Sequence, residues 1–93
     1  MLSKTPIDFK NVNVEDIDKE ILRLGMVAEL DAINLYEQLA TTTKNNNLKK
    51  ILLDIAKEEK THLGEFQALL LKLDKEQVEE LEAGKKEVEE KTE

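Results

Sequence analysis

The apolar residues of this chain recur at spacings of three and four, the signature of helices with one buried face. Leu22, Met26, Ile33, Tyr36 and Leu39–Ala40 form the first such stripe, and Glu29 lies on it. A cluster of Thr and Asn over residues 41–47 then predicts a chain reversal. The second stripe reads Leu48, Ile51–Leu52, Ile55–Ala56, Leu63, Phe66, Leu69–Leu70 and Leu73, with Glu59 and His62 set into it. Asp74, followed three residues later by Gln77, resembles a capping box and opens a third helix with a weak apolar face at Val78 and Leu81. The expected elements are an irregular arm over 1–13, helices over about 14–43, 47–73 and 75–91, and a charged, frayed end. Asn13 is the expected cap of the first helix, and Gly25 a tolerated cost of about 1 kcal/mol within it. The fold class is all-α: two long antiparallel helices plus a short C-terminal one, in one domain over 1–93.

Each long stripe is apolar except at one level. With a rise of 1.5 Å per residue, Glu29 stands about 25 Å from the turn, and Glu59 and His62 stand about 20 and 24 Å from it. In an antiparallel hairpin the three meet. Glu59-x-x-His62 places a carboxylate and an imidazole one turn apart on one face, so a single helix can offer both to one metal ion. Two glutamates on buried stripes are costly unless a cation is shared between them. A plainer reading stays open on the pattern alone. Glu29 would then reach solvent from a stripe edge, Glu59 would pair with Lys57 or Lys60, and His62 would be an interfacial histidine.

Two helices share one seam and cannot cover each other's apolar stripes, which predicts self-association about a two-fold axis into a four-helix bundle. Such a dimer holds two copies of Glu29 and of Glu59-x-x-His62. That is the donor set with which ferritin-like bundles hold two iron ions, and one chain carries half of it.

Composition narrows the partners. The net charge of −7 opposes binding to a nucleic-acid backbone and suits cations. No apolar run approaches the roughly 18 residues of a membrane span, and the first residues lack the apolar core of a signal peptide. There is no cysteine, which disfavours a rubrerythrin-type peroxide reductase fed by a cysteine-bound iron.

The stretches Met26–Glu37 and Ile55–His62 resemble the encapsulated ferritin family, the short ferritin-like proteins held inside encapsulin nanocompartments. The resemblance covers about residues 20–75. It implies that Glu29, Glu59 and His62 are iron ligands, that Asp31 is the acidic residue beside the site through which iron arrives, and that Tyr36 is the tyrosine near the site. It further implies a cytoplasmic ferroxidase that oxidises Fe(II) with O2 at a di-iron centre shared between two chains. Dimers would assemble into an annular decamer, and the mineral would collect in the encapsulin shell. Carboxylate and imidazole donors also accept zinc, manganese or calcium. Tyr36 has a simpler role as a core residue with a wet hydroxyl. Glu58 and Glu65, near the face of His62, are further candidates for attracting cations.

Two departures stand out. Ala28 replaces an acidic residue that relatives show just before the first ligand, which weakens the expected iron approach. Lys85–Glu93 is unlike a Gly/Leu/Ile-containing encapsulin-targeting peptide, which points to a shortened chain or one fused to the shell protein. The competing class is a metal-free helical dimerisation module.

Overall fold

The computed structural model of the protein describes Lys10 and residues 13–93. Apart from Lys10 and Asn13, the expected irregular arm lies outside the described residues. A 3-10 turn over Val14–Asp16 leads into α1 (Ile17–Thr42), followed by α2 (Asn46–Leu73) and α3 (Lys75–Lys91). No strand occurs among the described residues. The fold is all-α, as the periodicity requires.

The helix ends have local causes. Asn13 makes no side-chain cap; its carbonyl instead accepts from the Asp16 N–H at 3.0 Å, which closes the 3-10 turn and moves the start of α1 to Ile17. The Thr41 and Thr42 hydroxyls both donate to the Gln38 carbonyl, at 2.7 and 3.0 Å, competing with the backbone where α1 stops. Three residues later Asn45 accepts from the Leu48 N–H at 3.0 Å and starts α2. Asp74 does the same for α3, accepting from the Gln77 N–H at 3.0 Å.

α1 and α2 pack as an antiparallel pair. Lys60 meets Glu37 at 2.9 Å toward the turn, and Arg23 meets Asp74 at 2.9 Å at the open end. Leu22, Ile33 and Ala40 from α1 and Ala56 and Leu70 from α2 are buried between them. Gly25 has a packing reason that periodicity does not reveal. A Cβ there would lie 3.1 Å from the Phe66 ring, so the missing side chain is where that ring rests against α1.

The hairpin does not finish its own core. Leu48, Ile51, Leu69 and Leu73 belong to the α2 stripe, yet each is about half exposed. α3 buries no residue at all. The radius of gyration is 16.5 Å, against about 12 Å for a compact domain of this length. Much apolar surface is therefore left for something else to cover.

Candidate metal centre

Near the middle of the hairpin, Glu29 of α1 faces Glu59 and His62 of α2. One donor atom from each lies within 4.8 Å of the others. The His62 Nδ1 stands 3.5 Å from a Glu59 carboxylate oxygen and 3.7 Å from the Glu29 Oε2. The Glu59 contact is at the outer edge of a hydrogen bond, and the Glu29 contact is too long for one. Both are short enough for three donors to close on one ion of ordinary metal–ligand distance.

The two carboxylates are largely covered, at 16% exposure for the Glu29 side chain and 20% for that of Glu59, whereas His62 is 47% exposed. The Glu29 Oε2 is enclosed and has no hydrogen-bond partner. A buried acceptor left without a donor is costly, and proteins seldom keep one without a purpose. Two ionised carboxylates cannot satisfy each other. Only a protonated one can hydrogen-bond the other, and that bond to Glu59 is the main reason the Glu29 pKa is raised. Burial and the Glu59 charge push it the same way, while His62 pulls it down. For His62 the largest single influence, desolvation, lowers the pKa. The Glu59 hydrogen bond and the charges of Glu29, Glu59 and Glu65 outweigh it, and the net shift is upward. The group behaves as excess negative charge seeking a cation. Its donor chemistry, two hard carboxylates and an imidazole, fits iron, zinc or manganese.

Glu29 and His62 also line an open groove with Glu65, Phe66 and Leu69. Glu65 therefore shares the approach to the site, whereas Glu58 is exposed outside that lining. Asp31 and Tyr36 are half-buried on α1 and lie outside the three-donor group. The tie between Arg23 and Asp74, at 2.9 Å, has no counterpart in the periodicity of the chain. Its one available signal was that Arg23 is the only arginine in the chain.

A helical hairpin that carries one Glu on its first helix and Glu-x-x-His on its second is a ferritin-like arrangement. Comparison with known proteins places it further. Residues 20–93 match the rubrerythrin family. The crystal structure of the encapsulated ferritin domain from Pyrococcus furiosus is similar at a TM-score of 0.82 and 53% identity, covering 97% of this chain and 92% of that one. This chain thus belongs to the rubrerythrin family of ferritin-like proteins, among the encapsulated ferritins. A ferritin-like–encapsulin shell fusion protein of Pyrococcus furiosus is 64% identical over 73 residues, which are 78% of this chain and 21% of the fusion protein. The encapsulin nanocompartment cargo protein EncC of Myxococcus xanthus is 45% identical over 56 residues, 60% of this chain and 43% of that protein. The chain spans about a fifth of the first relative and under half of the second. Among the described residues, no helix is long and apolar enough to cross a membrane.

Proposed function

We propose that this chain is half of a ferroxidase. Two copies pair about a two-fold axis so that Glu29, Glu59 and His62 of each complete a site for two Fe(II) ions, which O2 oxidises. The observation that carries this reading is the enclosed, unpartnered Glu29 Oε2 beside a second carboxylate and the only imidazole in the chain. A cation at that point satisfies the acceptor and neutralises the carboxylate pair. One chain's three side chains leave an iron ion short of ligands, and the groove beside them is open. The half-exposed leucines of α2 supply the apolar surface that pairing would bury.

The residues divide the work by chemistry. Glu29, Glu59 and His62 of each chain would hold the ions, and His62 would do so as the neutral imidazole, having given up its proton. Iron is the substrate that supplies the electrons. The protein holds two of them near one O2 and keeps the carboxylates oriented. Asp31, Glu65 and the overall charge of −7 draw cations toward the groove. Tyr36, half-buried on α1, serves in this reading as a packing residue of the stripe. The names of the relatives, one a shell fusion and one a nanocompartment cargo protein, support an encapsulin setting, with the chain fused to or packed beside the shell protein. In this reading oxidised iron is stored inside that shell, in the cytoplasm. There the dimers join into an annular decamer.

The test is a titration with Fe(II) under argon followed by native mass spectrometry and rapid mixing with O2. About one iron per chain is expected, since the bundle holds two per dimer. Air should then bring up a ferric–oxo absorbance. If His62→Ala and Glu59→Ala oxidise iron at the parent rate, the reading fails. Membership of the rubrerythrin family favours one second reading, a di-iron oxidoreductase that consumes peroxide. Replacing O2 by hydrogen peroxide in the same mixing experiment separates the two by which oxidant reacts faster.

A further inference from the structure

Asp74 is the single residue between α2 and α3, and its backbone (φ −131°, ψ 89°) is helical in neither. Three elements meet on it. Its N–H donates to the Leu70 carbonyl at 2.9 Å and ends α2. Its Oδ1 accepts from the Gln77 N–H at 3.0 Å and starts α3. Its Oδ2 accepts from the Arg23 Nη2 at 2.9 Å, reaching across to α1. Asp74 is 13% exposed and Arg23 45%.

A helix hinged on one residue normally takes its angle from the side chains it buries. α3 buries none. Leu81, 45% exposed, stands at the edge of a groove lined by Met26, Val27, Leu30 and Leu70. Arg23 and Gln77 close the same groove at the junction. An exposed ion pair adds little to overall stability. It can still fix a geometry that side-chain burial leaves undecided, and the planar fork of arginine fixes direction as well as distance.

We propose that Arg23 and Asp74 form an orientation latch: one carboxylate caps α3 and ties it to α1, setting the angle at which α3 leaves the hairpin. The latch keeps the groove between α3 and the hairpin open at a fixed width and presents Val78 and Leu81 in one direction. It acts independently of metal at Glu29, Glu59 and His62, because no residue is shared between the two groups.

The chain has no cysteine, so labels can be placed without background. Spin labels at Asn34→Cys on α1 and Lys86→Cys on α3, both exposed positions, report the angle as a distance. The labelled chain is diluted in unlabelled protein so that only pairs within one chain are read. The parent should show one resolved distance. In Arg23→Met that single distance should be lost to a broad distribution while the helix content by circular dichroism stays unchanged. A parent-like distribution in Arg23→Met overturns the latch. Should that variant lose helix, Asp74→Asn is read instead under the same rule. It keeps a capping oxygen for Gln77 but removes the charge that holds Arg23.

Discussion

Two polar clusters tie α1 to α2 and its end, and they are opposites. At the open end, Asp74 has a donor for each carboxylate oxygen, Gln77 N–H for one and Arg23 for the other. Its pKa is lowered, chiefly by the backbone N–H of Gln77; burial opposes this, and Arg23 and Lys19 assist it. At mid-hairpin, Glu29 has an enclosed oxygen with no donor, and its pKa is raised by Glu59 and by burial. The first cluster is complete as it stands. The second lacks positive charge, and its geometry leaves room for it. Satisfaction of each acceptor, more than the number of charges, separates the structural ion pair from the candidate metal site.

The widest separation between the clusters should appear in metal affinity. Groups that merely support a metal ligand typically matter by 10–100-fold, so removing a direct ligand in Glu59→Ala should weaken Fe(II) binding by about 100-fold or more. Arg23→Met, at the satisfied cluster, should change it by less than about threefold. Anaerobic calorimetric titration of both variants measures this. Equal losses would erase the distinction.

Stability should follow the same division. A metal present at about a hundredfold excess over its Kd adds about 2.7 kcal/mol, and for a domain of this size that raises Tm by roughly 10–20 °C. Zn(II), which does not react with O2, is the convenient probe. EDTA should reverse the rise, and Glu29→Gln should not show it. A chain whose melting ignores both metal and chelator would return the hairpin to the metal-free dimerisation class.

The sequence made the Glu29–Glu59–His62 cluster legible and the Arg23–Asp74 tie nearly invisible, for a physical reason. Glu29, Glu59 and His62 break apolar stripes, and a broken stripe stands out in a periodicity count. The same arithmetic of helix rise brings them to one height. Arg23 and Asp74 break nothing, because each is ordinary on a charged surface, and their meeting depends on the non-helical backbone at residue 74. The cap at Asp74 was visible through Gln77, but its second partner lies 51 residues away. Gly25 shows the same limit. Propensity marks it as a weakness, and only the packed pair shows the Phe66 ring 3.1 Å from where its Cβ would stand.

Without metal, the two clusters should respond to substitution in opposite directions. Glu29→Gln supplies an amide donor to Glu59 and removes a repelling charge, which should stabilise the metal-free protein by about 1 kcal/mol, or about 4–8 °C in Tm. Asp74→Ala removes a cap and the tie to Arg23, and should lower Tm by a few degrees. A loss of stability in both would mean that Glu29 is serving the apo fold through a partner, contrary to its enclosed, unpaired oxygen.

The smallest effect, and the most direct statement of the contrast, is in pH. Asp74 has a folded pKa below its unfolded value, so its contribution is present above the unfolded carboxylate range and lost as pH falls through the folded pKa. Glu29 has a folded pKa above its unfolded value. Its protonated form stabilises the fold below the unfolded pKa, and that contribution is lost as pH rises through the folded one. His62, also raised, follows the sign of Glu29 but in the histidine range. In denaturant melts of the metal-free protein, Asp74→Asn should flatten the acid limb alone. Glu29→Gln should remove the decline just above the carboxylate range and leave the acid limb intact. Saturating Zn(II) should invert the Glu29 limb, because a bound cation reverses which protonation state is favoured. A metal-bound profile that still declines there would mean the ion is held somewhere other than between Glu29, Glu59 and His62.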